Sequence, residues 1–227
     1  MANRYFLADL PAPGRHALPE DLAHHLGRVL RARVGDAVRL GDGRGGTAQA
    51  TVAAIDRRGC FVDVTDVAHE PPPPCALTLA FAVPRLQRVE WLLEHGTEVG
   101  VASFQPIWTH RTRPTEARAD RWDRIVAAAA GQCDRAWLPT VQPGCELADL
   151  LAQAALPANR FVARADGDAP APAAPGTALL LVGPEGGFTA EELAGIDRAG
   201  CRGIRLGRHV LRTETAALIG AAVLLLS

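Results

Sequence analysis

Lysine is missing from the 227 residues: all 24 basic side chains are arginine. Schiff-base chemistry, a lysine general base and the Walker-type phosphate loop are thereby excluded. Cysteine is scarce and scattered. Cys60, Cys75, Cys133, Cys145 and Cys201 form no C-x-x-C pair and no metal-ligand spacing. No metal is expected, and an odd, dispersed set reads as free thiols in a reducing compartment. Long apolar runs are lacking too. The longest, Ala216 to Leu226, falls short of the ~20 residues that a membrane span requires, and the opening MANRYFLADLPAPGRHALPE has no apolar segment of secretory type. A cytoplasmic protein without membrane contact is the expectation. Excess charge of one sign is also absent, since 24 basic residues against 25 acidic ones leave a net charge of −1. A protein that grips nucleic acid through bulk charge is basic overall, so any polyanion site must come from local clustering. What is present, 48% hydrophobic and 22% charged residues, describes a globular chain with material for one large or two modest domains.

Proline marks the organisation. Pro71 to Pro74 form a run that neither a helix nor a central strand can cross, which predicts two domains, residues 1–73 and 74–227. Before the run lie short strand-like segments, Ala37 to Leu40, Thr47 to Ile55 and Cys60 to Val67, with a Gly41-Asp42-Gly43 turn and a helix over Pro19 to Leu30. After it, strands alternate with helices. The strands are Leu77 to Val83, Phe104 to Trp108, Thr140-Val141, Arg160 to Arg164, Ala178 to Val182 and Ile204 to Leu206. The helices are Arg85 to His95, Arg121 to Cys133, Glu146 to Ala155, Ala190 to Ala199 and Glu214 to Leu226. That alternation predicts an α/β fold with a parallel sheet covered on both faces. The Ala/Pro-rich stretch from Asp166 to Gly176 reads as a surface connection.

Three stretches could carry chemistry. In LLLVGPEGGFTAEE, residues 179–192, a buried strand runs into a Gly/Pro turn and then into a helix opened by a Thr189/Glu192 capping box. Gly186 and Gly187 would let backbone N–H groups approach a ligand, and the carboxyl end of a strand is where α/β sheets bind small molecules; a plain tight turn explains the same letters. In IRLGRHVLRTETA, residues 204–216, a strand opens into a loop with Arg208, His209 and Arg212. Those arginines are either solvated charges or an anion site, and the helix that follows, apolar on every side, must be buried in the core or against another subunit. In TEVGV and QPIWTHRTR, Glu98 and Arg111 could pair internally, or Arg111 and Arg113 could face a phosphate. Arg121, Arg124 and Arg135 fall on or near one helix and suit a solvated face. In HHLGRVLRARVGD, residues 24–36, Arg28, Arg31 and Arg33 could form the local basic patch that net charge does not show. The dinucleotide fingerprint G-x-G-x-x-G is absent from these contexts.

Taken together, HHLGRVLRARVGD, TEVGV, QPIWTHRT, RWDRI, QCDR, LLLVGPEGGFTAEE and LGRHVLRTETA resemble, in type and order, the 16S ribosomal RNA uridine N3-methyltransferase family of the SPOUT superfamily. The resemblance implies a small PUA-like RNA-binding β-barrel over 1–73. It implies further a SPOUT methyltransferase domain over 74–227, whose C-terminal segment is threaded into a trefoil knot that no periodicity could reveal. It implies S-adenosyl-L-methionine bound by Gly183, Pro184, Glu185, Gly186, Gly187, Leu206, Gly207, Val210, Leu211 and Thr213, and a homodimer packing at the knot. It also implies 16S ribosomal RNA in the small ribosomal subunit as partner, with Arg28, Arg31, Arg33, Arg111 and Arg135 as RNA contacts. The chain departs from the family pattern where Arg85 and His95 replace lysines, and where Gly131 and Cys133 flank Gln132 in place of glutamate and serine.

The expected reaction moves a methyl group to N3 of a uridine. N3 carries a proton, so the reaction requires proton removal and stabilisation of a uracil anion. Arg212 is the candidate for holding that anion or an adjacent phosphate, and Glu214 for orienting Arg212 or acting as base. The alternatives are the same fold acting on another RNA, and a non-catalytic RNA-binding or ribosome-assembly module.

Overall fold

Period-two burial builds the first unit. In the computed structural model, which describes residues 3–57, 59–83, 86–112 and 119–226, the strands β1 (Arg4–Phe6), β2 (Gly14–Ala17), β3 (Ala37–Gly41), β4 (Gly46–Asp56) and β5 (Gly59–His69) form one sheet in the order β1-β3-β4-β5-β2. Ala48, Ala50 and Val52 on β4, and Cys60, Val62 and Val64 on β5, are buried, while Gln49 and Thr51 face outward. Leu18, Leu26, Val38 and Leu40 complete the core. The helix expected over Pro19 to Leu30 is α1 (Glu20–His24), continued by a π-helical turn, His25–Val29. The strands β1 and β2, of three and four residues, are too short to show a period in the sequence.

Residues 130–138 pack into this same unit with 1–72. The buried Arg4 guanidinium lies 3.1 Å from Asp134 and 3.1 Å from Glu70, Arg39 also pairs with Asp134, and Trp137 Nε1 donates to the Glu70 and Pro71 carbonyls at 3.1 Å each. Gly131 is required here: a Cβ at that position would run into the Arg4 carbonyl oxygen. The glutamate of the family pattern has no room in this chain.

The second unit, residues 73–129 with 139–227, has the α/β alternation that the sequence predicts. Its strands are β6 (Cys75–Ala82), β7 (Ser103–Trp108), β8 (Thr140–Val141), β9 (Cys145–Glu146), β10 (Asn159–Asp168), β11 (Gly176–Val182) and β12 (Arg202–Ile204). They pair in parallel in the order β12-β10-β11-β6-β7-β8, with β9 also on β7. The helices are α2 (Leu86–Val99), α3 (Ala119–Gln132), α4 (Leu147–Leu151), α5 (Ala190–Arg198) and α6 (Thr213–Leu225). The two central strands are buried on both faces, hence their continuous apolar letters. Leu77, Leu79, Phe81, Leu180 and Val182 point to a core shared with Val89, Leu92 and Leu93 of α2, Trp122 and Val126 of α3, and Ala217, Ala221 and Leu224 of α6. Ala80, Leu179 and Leu181 point the other way, to Leu147 and Leu150 of α4 and Ile196 of α5. Gly220 lets α6 lie close on β11, since a Cβ there would stand 2.7 Å from Leu180 Cδ2.

Two sequence expectations change. The helix over Glu146 to Ala155 shortens to α4, because Ala152 to Ala155 are exposed and Pro157 bars continuation. The stretch Asp166 to Gly176 is more than a surface connection: β10 runs on to Asp168, the Ala173 N–H donates to the Leu224 carbonyl at 2.8 Å, and Ala169 and Pro170 line a cavity. Among the described residues, no helix is long and apolar enough to cross a membrane, and no group of three His, Cys, Asp or Glu side chains could hold a metal ion.

Candidate active site

The carboxyl ends of β10, β11 and β12 open onto a cavity of about 980 Å³, the position where parallel sheets receive ligands. Residues 182–188 form one wall, 205–211 with Thr213 and Ala216 a second, and 163–166 with Ala169 and Pro170 a third. The two glycine-bearing stretches singled out in the sequence are therefore neighbours in space. Thr213 Oγ1 donates to the Gly183 carbonyl at 3.0 Å, which joins the first wall to the start of α6.

The first wall is a tight turn followed by a capped helix. The Gly187 N–H donates to the Pro184 carbonyl at 2.7 Å, and Gly187 has φ +70°, a left-handed conformation that glycine adopts without strain. Gly183 faces the Phe188 ring, which a Cβ would meet at 3.0–3.2 Å. Thr189 caps α5 by accepting from the Glu192 N–H at 3.2 Å, and Glu192 Oε2 accepts from the Thr189 N–H at 2.7 Å. The other oxygen of Glu192 accepts from the His110 N–H at 2.7 Å, tying the loop after β7 to the same turn. That loop brings Arg111 over Gly186, where a Cβ would lie 2.9 Å from the guanidinium.

The second wall is open. Arg205 N–H donates to the Asp168 carbonyl at 2.8 Å, but residues 206–211 make no hydrogen bond among the described residues. Arg208, His209, Val210 and Arg212 are exposed, and Arg212 sits at the N-cap of α6 without an ion-pair partner among the described residues. Glu214, in the first turn of α6, is only 7% exposed. It does not pair with Arg212. Its carboxylate lies 3.4 Å from Arg88 Nε, while Arg88 Nη1 donates to Glu185 at 3.0 Å.

The third wall was not among the sequence candidates. Arg164 is held in a fork by Asp166 at 2.6 and 2.8 Å and by Asp197 at 3.0 Å. The hydrogen bonds from Arg164 hold the Asp166 carboxyl below the usual carboxylate range, and the same partner raises the guanidinium. The low-complexity letters that follow Asp166 gave no signal of this wall.

The remaining sequence candidates lie elsewhere. Arg28, Arg31 and Arg33 are exposed on the first unit. Arg135 belongs to that unit also and is half-buried, and burial lowers its pKa. Glu98 pairs with His95 at 2.9 Å rather than with Arg111. Arg121 is bidentate to Glu90 at 2.5 and 2.7 Å, and Arg124 donates to the Asp120 carbonyl. Arg85 and Arg113 lie outside the described residues. Arg88 had no sequence signal, because its partners are distant in the chain.

Comparison with known proteins gives this geometry a class. Residues 71–225 match an RNA methyltransferase domain, and residues 18–65 an RNA methyltransferase PUA domain. The chain is 34% identical over 235 residues to ribosomal RNA small subunit methyltransferase E of Mycobacterium bovis, covering 96% of this chain and 89% of that one. It is 33% identical over 211 residues to the protein of that name from Synechocystis, covering 88% and 69%. A crystal structure of a ribosomal RNA small subunit methyltransferase E from Neisseria gonorrhoeae bound to S-adenosyl methionine superposes with a TM-score of 0.89 at 27% identity, over 98% of this chain and 96% of that one. A putative methyltransferase from Legionella pneumophila, in complex with the same cofactor, gives 0.87 at 26% identity and the same coverage. A parallel sheet with a two-loop cavity at its carboxyl ends, in a chain carrying these two domains, defines the RNA methyltransferase class. Within that class the chain belongs to the ribosomal RNA small subunit methyltransferase E family.

Proposed function

We propose that the protein transfers a methyl group from S-adenosylmethionine to N3 of a uridine in 16S ribosomal RNA of the small ribosomal subunit. The observation that carries this reading is that 182–188 and 205–211 with Thr213 wall one cavity, at the strand ends of the unit that matches the methyltransferase domain. The lining suits the cofactor. Val182, Phe188, Leu206 and Leu211 offer apolar surface to a flat ring, Asp166 can accept from hydroxyl groups, and Gly207 has no atom within 4 Å of its Cβ position. Gly183, Pro184, Glu185, Gly186, Gly187, Leu206, Gly207, Val210, Leu211 and Thr213 would hold it, largely through backbone groups.

When bound, S-adenosylmethionine supplies an electrophilic methyl group on a sulfonium. Arg212, exposed at the start of α6, is positioned to donate to the oxygens of a uracil that has lost its N3 proton, or to the phosphate beside it. Arg111, over Gly186, adds a second cation at the cavity rim. Glu214, buried and paired with Arg88, suits a positioning role better than that of a base in contact with substrate. The target base must leave its stack to reach such a cavity, and fixing both reactants supplies much of the rate.

In the first unit, Arg28, Arg31 and Arg33 support an RNA-binding role for a PUA-like barrel over 1–73. For the methyltransferase domain expected over 74–227, we infer the SPOUT trefoil knot; the hydrogen bond from Ala173 to Leu224, which draws the segment after β10 over the end of α6, is compatible with a threaded C-terminus. Homodimerisation through this domain would cover Ile219 and Leu226, which are 36% and 68% exposed. Cytoplasmic action on ribosomal RNA follows from the same reading. The test is methyl transfer to small subunits lacking the modification, with mass spectrometry of the product nucleoside: 3-methyluridine is expected, and a different methylated nucleoside overturns the assigned position.

A further inference from the structure

Arg88 reaches two carboxylates, one in the first wall of the cavity and one on α6, the helix whose Thr213 and Ala216 line the second. Its Nη1 donates to Glu185, in the turn after β11, at 3.0 Å, and its Nε lies 3.4 Å from Glu214, in the first turn of α6. Glu214 has a side chain only 10% exposed, and its Oε2 has no hydrogen-bond partner. A buried carboxylate beside the apolar residues of α6 requires a counter-charge. The helix N-terminus supplies part of it, and Arg88 is the cation within ion-pair distance among the described residues. The fork of a guanidinium can address two acids at once, which the single ammonium of lysine cannot do in the same geometry.

We propose that Arg88 is a positioning residue that sets the spacing of the two cavity walls, through Glu185 on one side and Glu214 on the other, and so sets the affinity for S-adenosylmethionine. This rests on the assignment of that cofactor to this cavity. The neighbouring tie from Thr213 to Gly183 remains when Arg88 is removed, so the walls loosen without separating. Glu185 is half-exposed, and an exposed pair of this kind adds little to global stability. Its effect is on the shape that the turn presents to a ligand, which is preorganisation.

The test is calorimetric titration of the full chain with S-adenosylmethionine, for the unchanged protein, R88Q, R88K, E185Q and R88Q/E185Q, with Tm measured on each. R88Q is expected to weaken binding about tenfold, the size of effect that loss of a charge-assisted hydrogen bond gives. R88K should recover only part of that loss. E185Q should weaken binding about fivefold with Tm unchanged, and the double variant should bind no worse than R88Q, because both substitutions cut the same bridge. The Tm of R88Q falls in either case, because Glu214 loses its counter-charge; a merely structural role would leave the affinity of E185Q unchanged. R88Q binding within twofold of the unchanged protein, or losses that multiply in the double variant, overturns the proposal while the cofactor assignment stands. Should R88Q fail to fold, E185Q decides: unchanged affinity refutes the bridge. Absence of binding by the unchanged protein removes the cofactor assignment and this inference with it.

Discussion

The two loops that wall the cavity are built in opposite ways. Residues 183–188 are tied from several sides: Gly187 to Pro184, Gly183 to Thr213, Glu185 to Arg88, and Phe188 packed on the core beneath. Residues 206–211 make no hydrogen bond among the described residues, and Val210 is 89% exposed. A loop with its backbone already satisfied presents a fixed surface to a ligand. One whose polar groups face water takes its final order from what binds, at an entropic cost that only the bound complex offsets. The first wall therefore suits recognition of a constant cofactor, and the second suits closing over that cofactor while its exposed Arg208, with Arg212 beyond it, is turned to the RNA.

The largest expected effect lies on the open side. Arg212→Ala should lower methyl transfer to small subunits by about 100-fold or more, the scale seen when a donor to developing negative charge is removed, while the Kd for S-adenosylmethionine stays within about threefold. Equal losses in both quantities would mean that Arg212 serves the cofactor and that the division between the loops is wrong. The next effect contrasts a glycine from each loop. Gly183→Ala forces the Phe188 ring aside and should cost about 1–3 kcal/mol of stability, the usual range for overpacking. Gly207→Ala places its methyl in open space and should leave unfolding within about 0.5 kcal/mol, yet lower cofactor affinity because that space is the cavity. Chemical denaturation of the two variants checks the first half and calorimetry the second; similar destabilisation by both would erase the comparison.

This contrast was half legible in the letters. The strand-turn-helix at 179–192 is readable because each feature is local: apolar run, Gly/Pro turn, and Thr189 with Glu192 at capping spacing. The central strands read equally well, since burial on both faces leaves an unbroken apolar run. What the letters hide is every contact closed by the fold. Arg88 stands 97 positions before Glu185, so no window contains both. The third wall runs from the end of the strand expected over Arg160 to Arg164 into an Ala/Pro stretch whose composition suggests only a connector, although Arg164 and Asp166 form a fork at that junction. Residues 130–133 read as the tail of a helix in the second domain, yet 130–138 pack into the first unit, where Asp134 meets Arg4 and Arg39. Gly131 looked like a loss relative to the family pattern, and the Arg4 carbonyl explains it as a steric demand.

A smaller effect tests how firmly the first wall is anchored. Glu192 uses both oxygens, one on Thr189 N–H and one on His110 N–H, each at 2.7 Å. Glu192→Ala should cost about 1–2 kcal/mol, the range for a lost helix cap with a charge-assisted partner, and should raise the Kd for the cofactor by displacing Arg111 from Gly186. Glu191→Ala, one residue away and exposed, is the control and should leave both within error. If the two variants behaved alike, the capping carboxylate would not be what holds the turn.

The smallest effect concerns pH and the third wall. The hydrogen bonds from Arg164 lower the Asp166 carboxyl relative to its ordinary value, which is about 3.9 in an unfolded chain. A carboxyl depressed in the folded state adds stability that is fully present above the unfolded value and is lost as pH falls through the folded one. The stability gap between the unchanged protein and Asp166→Asn should thus be constant from neutral pH down to about 5, and shrink as the pH drops below about 4. Because Asp166 is exposed, water screens the pair and the gap stays small. Urea unfolding of both proteins at stepped pH measures it. A gap that widened on acidification would carry the wrong sign for a carboxylate stabilised by Arg164, and would reassign the third wall from a fixed fork to a pair of independent solvated charges.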